Sequence, residues 1–470
     1  MSFEAPLLII VVFLLLTLLI GVFTIRRHTI FREYAIGNRQ FSTATLVITL
    51  LASYYGGGIL IRNVSIFPSN RFFWIIWQFF INGLIFLTIS WLAGRMHKLT
   101  YHLSMPETIG RVYGKYPRMI TALTGIFYLI VFLAIQINVI SQAIRICIAS
   151  DIHTITILTT IILCIYTMLG GIHAITFTDV WQFIIFFSII PILTWMMFKN
   201  VGKPAAEIIS FLQTQKKFEL SMSNLFFPFN NKLLPILYYL SVIANIEPSV
   251  MQIVYMSSSP SQARKVFLYA AFFSCVIITC ILLISLFVFI KMPDLPSVEI
   301  WNYVLASTPP YFKGLICVCL LAMAMSTADS KLHTSAIMIS YDLLGNMRSI
   351  KRFCSDQILL ARIAILLIAI LAMLLALYKN FFAHLTSMLL SITCIYAVIV
   401  VAPFILAVLG FRSTTRTALM GMTTGLLTLF VWNKWISHMV GPTSGTFISI
   451  AANAVSMLTA HYIYGQRPRR

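Results

Sequence analysis

Near the middle of a long apolar segment, residues 43–67, the sequence reads Tyr54-Tyr55-Gly56-Gly57-Gly58. A second apolar segment, residues 233–256, carries Asn245-Ile246-Glu247-Pro248 near its own middle. Each glycine in a helix interior costs about 1 kcal/mol relative to alanine, and proline removes a backbone donor and clashes with the preceding turn. We therefore predict two helices that are interrupted halfway along. Close packing at the glycines and a simple proline kink remain the alternative explanations for either interruption alone.

The chain around these two stretches is strongly apolar. Of its 470 residues, 60% are hydrophobic and only 10% are charged, and the mean hydropathy is +0.93. Soluble domains carry about a quarter charged residues, so this composition excludes a soluble enzyme, a disordered protein and a nucleic-acid-binding module. We predict an all-α integral membrane protein, because isolated strands cannot satisfy their backbone groups in lipid. About thirteen apolar segments are the predicted transmembrane helices: residues 5–25, 43–67, 72–94, 119–148, 154–169, 172–198, 233–256, 266–290, 311–344, 357–378, 383–410, 417–437 and 446–464.

These segments leave no room for a separate soluble domain, so residues 1–470 are predicted to form a single transmembrane transporter domain. The interrupted helices are the second and the seventh, and they open two blocks of five helices, residues 43–198 and 233–410. An odd number of helices per block inverts the second block in the membrane. Interrupted helices at matching positions of two inverted halves point to a transport site. One extra helix, 5–25, precedes the blocks, and two more, within 417–464, follow them.

The net charge of +20 is explained by how positive residues orient a membrane protein in the bilayer. Most Lys and Arg residues fall in short loops that would share one side of the bilayer, as the positive-inside rule requires. We therefore predict an N-terminus outside and a C-terminus in the cytoplasm, most simply in the plasma (inner) membrane. Nucleic acid is not an expected partner.

Acidic residues are rare, and three of the 13 lie inside apolar segments: Asp179, Glu247 and Asp329. A charge at the bilayer centre costs about 2.5–3.5 kcal/mol, so each is a candidate functional residue. A water-accessible position near a helix start stays open for Asp179, and a structural pairing stays open for Glu247 and Asp329. Ser326, Asp329 and Ser330 share one helix face at i, i+3 and i+4, and oxygen ligands suit a hard cation. Lys331 and Asp329 point about 200° apart on that helix, so Lys331 needs a partner on another helix.

Four stretches resemble the sodium:solute symporter family. They are Tyr55-Gly56-Gly57-Gly58, the segment from Gly170-Gly171-Ile172 to Thr178-Asp179-Val180-Trp181-Gln182, Pro248-Ser249-Val250-Met251-Gln252 with the later Ala263-Arg264, and Met325-Ser326-Thr327-Ala328-Asp329-Ser330. The resemblance implies a LeuT-type 5+5 inverted repeat, helices 2–6 and 7–11, with discontinuous helices 2 and 7, and secondary transport driven by Na⁺. Two departures stand out: Ile253 follows Gln252 where the family usually has arginine, and Lys331 takes a position that is usually uncharged.

The family pattern also assigns site residues. It implies a sodium site made of the carbonyls of Ala52, Tyr55 and Met323 with the hydroxyls of Ser326 and Thr327. A second cation site would involve Asp179, Asp329, Ser330 and Lys331, and the substrate would contact Tyr54, Gly56, Gly57, Glu247 and Gln252. Because the resemblance places helix six beside helix nine, Asp179 is the expected partner of Lys331, whose ammonium would then replace a second sodium ion.

These observations predict a Na⁺-coupled symporter that brings a small organic solute into the cell by alternating access. Its expected partners are that solute, Na⁺ and the lipid bilayer, with no cofactor beyond the coupling ion and no transition metal. One alternative is a proton-coupled transporter with Asp179 or Glu247 as the proton carrier. Another is a sodium-independent transporter. A solute-sensing receptor is less expected, since no signalling domain is evident. No nucleophile–base set indicates an enzyme. The sequence leaves the substrate, the coupling stoichiometry and the oligomeric state open.

Overall fold

The computed structural model describes residues 4–24, 30–65, 72–97, 99–147, 151–215, 246–297, 299–346, 356–378, 381–436 and 442–464. The regular structure of these residues is helical, with no strand among them. Eight of the described helices are long and apolar enough to cross a membrane, and a ninth span results if one bent pair is counted as a single crossing. The chain is therefore an integral membrane protein built from helices, as its composition predicts.

The helices of the first half are α1 Glu4–Phe23, α2 Phe31–Ile36, α3 Thr43–Tyr54, α4 Gly57–Val64, α5 Phe72–Ala93, α6 Met105–Tyr113, α7 Lys115–Cys147, α8 Ile152–Val201 and α9 Ala205–Thr214. Those of the second half are α10 Pro248–Met256, α11 Pro260–Lys291, α12 Ile300–Ala306, α13 Pro310–Ile337, α14 Gln357–Leu377, α15 Phe381–Val408, α16 Thr415–Val431 and α17 Pro442–Ile463. A wider π-helical turn, Met338–Leu343, extends α13. Each of the thirteen predicted segments overlaps one of these helices, but residues 233–245 of the seventh lie outside the described residues. The number of thirteen crossings stays a prediction.

Helix α13 lies at the centre of the bundle. It packs against α7 and α8 over much of its length, and also against α1, α3 and α14. Its residues from Ile316 to Asp329 are buried on every side, whereas α1 and α14 expose large apolar side chains such as Leu15 and Leu367. Exposed apolar surface is stable where the surroundings are lipid, so the polar residues of α13 are enclosed by protein and shielded by an apolar outer ring.

The break between α3 and α4 bends the chain by 60°. Gly56 lies between the two helices, and its N–H donates to the carbonyl of Tyr54 at 3.1 Å. A Cβ atom on Gly56 would come within 2.9 Å of the Gln136 amide, and one on Gly57 within 3.0 Å of the Leu320 carbonyl. The glycines therefore serve both predicted purposes, because they interrupt the helix and they also let it pack closely on α7 and α13.

A second break divides α8, where the sequence predicts two separate helices. Gly171 has φ 58° and ψ −157°, a conformation that is essentially restricted to glycine. A Cβ atom at this position would lie 2.7 Å from the ring of Tyr34, which is buried and whose hydroxyl donates to the Met168 carbonyl at 3.3 Å. Tyr34 therefore cannot move aside easily, and the glycine pair of this stretch is a packing requirement as well as a sequence signature.

We expect Gly171→Ala to lower the free energy of unfolding by about 2 kcal/mol or more, because it combines a strained backbone with the clash against Tyr34. Gly202→Ala is the matched control, since Gly202 also has a positive φ of 66° but no atom of the described residues lies within 4 Å of its added Cβ. Strain alone should cost it roughly 1 kcal/mol. Thermal unfolding of both purified variants in one detergent measures the difference. Equal unfolding midpoints would show that the contact with Tyr34 carries no cost.

Candidate transport site

The first polar group of the core joins the broken helix α3 to α13. The hydroxyl of Ser326 donates to the Ala52 carbonyl at 2.8 Å and to the Met323 carbonyl at 3.2 Å. The hydroxyl of Thr327 donates to Met323 at 2.9 Å and reaches Ala52 at 3.5 Å. All four residues are buried. We call Ala52, Met323, Ser326 and Thr327 the Ser326 cluster; it contains four of the five residues expected at the sodium site.

The helix break makes the Ala52 carbonyl available to this cluster. In an uninterrupted helix that carbonyl would accept the N–H of Gly56, but Gly56 donates to Tyr54 instead. Tyr55, the fifth expected ligand, directly follows α3 with its N–H donating to the Leu51 carbonyl, and its hydroxyl pairs with that of Ser274 at 2.6 Å. Two carbonyl oxygens and two hydroxyl oxygens that converge in a buried site form a donor set suited to a hard cation such as Na⁺.

The second polar group contains two buried acids, Asp179 on α8 and Asp329 on α13, which we call the aspartate pair. The hydroxyl of Ser53 lies 3.5 Å from Asp179 Oδ2 and 2.6 Å from the hydroxyl of Ser330. Tyr166 donates to Asp329 Oδ2 at 3.1 Å. The two carboxylates are close enough to repel one another. The structure thus brings together Asp179, Asp329 and Ser330, as expected for the second cation site.

The negative charge of the aspartate pair is not balanced by a positive side chain among the described residues. Asp179 and Asp329 have no exposed surface, and among the residues that the structure describes the Oδ1 atom of each lacks a hydrogen-bond partner. Within the described residues no Lys, Arg or His side chain forms an ion pair with either acid. A buried carboxylate without a counter-charge is costly, so this position calls for a bound cation or a proton.

Lys331 does not belong to this group. Its Nζ donates to Glu247 Oε1 at 2.5 Å and to the Ser249 hydroxyl at 2.8 Å, and it lies 4.5 Å from the ring centre of Phe132. The expectation that Lys331 pairs with Asp179 is therefore wrong. Successive helical residues are rotated by about 100°, so Lys331 points away from the side on which Asp329 meets α8.

Glu247 immediately precedes α10, whose first residue is Pro248. Its Oε2 accepts a short hydrogen bond from the Tyr128 hydroxyl, and Ser249 donates to its Oε1 at 3.1 Å. We call Glu247, Ser249, Lys331, Tyr128 and Phe132 the Glu247 cage. Glu247 also lies near Tyr54, the last residue of α3.

The remaining residues expected at the substrate site are used differently. Gln252 lies more than one turn along α10 from Glu247 and donates to the Ala35 carbonyl of α2 at 3.2 Å. Gly56 and Gly57 pack against α7 and α13. Sequence reasoning missed Tyr128, Ser249 and Phe132, because a single aromatic or hydroxyl residue in an apolar helix is not distinguished by any local pattern.

A polar layer closes the bundle at the end that carries α2 and α6. Arg39 donates to the carbonyls of Ser257 at 2.5 Å and Ser258 at 2.8 Å, which ties the segment before α3 to the end of α10. Tyr255 pairs with the Thr108 hydroxyl at 2.7 Å. His102 contacts the same hydroxyl at 3.0 Å, and burial lowers the pKa of its imidazole.

This geometry can be compared with known proteins. The sequence model of the sodium:solute symporter family matches residues 34–425, which is most of the chain. The chain belongs to this family. It is 24% identical to the high-affinity proline transporter PutP of Bacillus subtilis (strain 168), with 95% of each chain covered. The symporter is accordingly a membrane transport protein and not an enzyme.

Solved structures show the same fold. A Na⁺-coupled sialic acid symporter in a substrate-bound outward-open state superimposes with a TM-score of 0.84 at 15% identity, over 98% of both chains. Mhp1, a nucleobase-cation-symport-1 family transporter in a closed conformation with bromovinylhydantoin, gives a TM-score of 0.61 at 12% identity, over 90% of this chain and 93% of Mhp1. The symporter therefore has the LeuT-type fold that the sequence resemblance implies.

Proposed function

We propose that this symporter couples the inward movement of Na⁺ to the uptake of a small organic solute by alternating access. The observation that carries this proposal is the Ser326 cluster, in which two hydroxyls of α13 meet the Ala52 carbonyl at the break of α3. A cation at this point would link α13 to the first broken helix, so its binding and release would change how the two halves pack. The sialic acid symporter, which has this fold, is itself coupled to Na⁺.

We further propose a second cation position at the aspartate pair, completed by Ser330 and Ser53. Two negative charges with one unpartnered oxygen each can accommodate a cation beyond the one in the Ser326 cluster. Lys331 takes no part in it, since its charge is used by Glu247. Proton coupling is the second candidate, and the same unpartnered oxygens favour it, because protonation would also neutralise a buried carboxylate.

Thermal unfolding of the purified symporter in NaCl, compared with KCl and choline chloride at equal ionic strength, tests the coupling ion. We expect stabilisation by Na⁺ alone, and ²²Na⁺ binding should saturate at two ions per chain. Stabilisation that appears in all three salts when the pH is lowered, without a Na⁺ effect, would instead support proton coupling. Proteoliposomes with imposed Na⁺ or proton gradients then identify the driving ion once a solute is known.

For the membrane arrangement we propose thirteen crossings, with the N-terminus outside and the C-terminus in the cytoplasm of the cell. The first block of five runs from α3 to α8 and the second from α10 to α15, related by inversion. The break between α3 and α4 and the interruption that the sequence predicts at Glu247–Pro248 fall at matching positions of the two blocks, which supports the repeat.

Labelling by a membrane-impermeant maleimide tests this orientation on intact cells. In a chain without its native cysteines, Asp294→Cys, before α12, should react from outside. Arg412→Cys, before α16, should react only after the cells are permeabilised. The reverse result would invert the topology.

A further inference from the structure

The Glu247 cage contains an ion pair that the cation sites do not use. Lys331 exposes 1% of its surface and Glu247 9%, so both charges lie inside the protein. A buried ion pair is often no more stabilising than well-packed apolar residues, because desolvation offsets most of the attraction. Stability alone therefore gives little reason to place an acid and a lysine together at the centre of this bundle.

The position of the pair indicates a role in recognition. Glu247 immediately precedes α10, Lys331 comes from the central helix α13, and Tyr128 and Phe132 come from α7. Tyr396 of α15 stacks on Tyr128 with ring centres 5.4 Å apart. Elements from both blocks thus surround one acidic and one basic group, close to Tyr54 at the end of α3.

The two charges select among solute classes. An anion would pair with Lys331 but be repelled by Glu247, and a cation would meet the opposite problem. A neutral solute would leave the two side chains paired with each other. A solute that carries both charges can exchange for both partners, and the aromatic rings can contact its ammonium group by cation–π interactions.

We propose that Glu247 and Lys331 form the recognition site for a small zwitterionic solute, with its carboxylate on Lys331 and its ammonium on Glu247. This inference rests on the proposed transport function and adds the substrate class to it. When no solute is bound, the two side chains satisfy each other, as they do in this structure. Ser249, which contacts both, bridges the exchange.

The test uses the full-length symporter in detergent with Na⁺ present and four groups of probes. The zwitterions are the L-amino acids and glycine betaine. The cations are amino acid methyl esters, the anions are N-acetyl amino acids, and the neutral probes are polyols. We expect at least one zwitterion to bind, measured by calorimetry, and its ester and N-acetyl forms to bind at least about tenfold more weakly, because each leaves one buried charge without a partner.

Two variants should shift selectivity in opposite directions. Lys331→Met should weaken the binding of the zwitterion and strengthen the binding of the methyl ester, whereas Glu247→Gln should strengthen the binding of the N-acetyl form. Lys313→Met, the same change elsewhere on α13, should leave all affinities unchanged. If a single variant fails to fold, the exchange variant Glu247→Lys with Lys331→Glu retains a pair and should still select zwitterions.

The outcomes separate this inference from the proposed function. Stabilisation by Na⁺ should persist in wild type and in every variant, because the cations bind elsewhere. If Na⁺ stabilises wild type but no zwitterion binds, or if polyols or single-charge probes bind as well as zwitterions, the recognition proposal is overturned while Na⁺ coupling stands. If both single variants lose affinity for all probes equally, the pair has a structural role and the recognition proposal is also overturned.

Discussion

Replacing Ser326 and Thr327 together with alanine is expected to remove the Ser326 cluster's share of the stabilisation by Na⁺ and to abolish Na⁺-dependent uptake. The change removes two oxygens that converge with the Ala52 carbonyl and leaves the helix backbone intact. At about 1.5 kcal/mol for each contact to a charged group, the loss corresponds to a roughly hundredfold weaker affinity for Na⁺. Titration of the unfolding midpoint with NaCl measures this affinity.

The matched control is Thr334→Ala with Ser335→Ala, the same pair of changes two turns further along α13. Ser335 donates to the Lys331 carbonyl of its own helix at 2.8 Å instead of to a carbonyl of α3. This control should keep wild-type Na⁺ affinity. A Ser326/Thr327 double variant that also keeps it would place the sodium site elsewhere.

Asp179→Asn and Asp329→Asn are expected to have two opposite effects. In KCl each variant should unfold at a higher temperature than wild type, because it removes one of two buried, mutually repelling charges. In NaCl each should lose most of the Na⁺-dependent gain and bind one ²²Na⁺ per chain instead of two. The repulsion that Na⁺ relieves in wild type is absent once either acid is neutral.

The control for the aspartate variants is Asp294→Asn, which changes an acid outside the bundle core, in the segment before α12. It should alter neither the unfolding midpoint in KCl nor the number of bound ions. If Asp179→Asn and Asp329→Asn lower stability in both salts and still bind two ions, the aspartate pair is a structural element and not a cation site.

The sequence predicts those features that depend on local rules. The glycine run at Gly56 interrupts a helix wherever it is placed, and the spacing of Ser326, Asp329 and Ser330 puts oxygen atoms on one helix face. These rules led correctly to the break between α3 and α4, whereas the meeting of α13 with α3 was implied by the family resemblance. They also exclude Asp329 as the partner of Lys331, since those side chains point in different directions.

The sequence could not choose between the two remaining acids for Lys331. Asp179 and Glu247 lie on different helices, and only the packing of α7, α10 and α13 determines which one Lys331 reaches. Tyr128 was missed for the same reason, because its importance comes from a hydrogen bond to a residue 119 positions away. Long-range contacts between apolar helices leave no periodic signal in the chain.

The aspartate pair also has an electrical consequence. In the empty carrier Glu247 and Lys331 cancel each other, whereas ionised Asp179 and Asp329 leave the centre of the protein with two negative charges. An inside-negative membrane potential pushes such charges outward, with up to about 2.3 kcal/mol per charge for a complete crossing of 100 mV.

The membrane potential is therefore expected to return the empty carrier to its outward-facing state and to hold it there until cations arrive. Voltage steps applied without Na⁺ or solute should produce a transient charge movement that the Asp179→Asn/Asp329→Asn double variant lacks. An identical transient in that variant would contradict this expectation. With both cation positions filled, the same centre becomes neutral and can turn inward without opposition from the field.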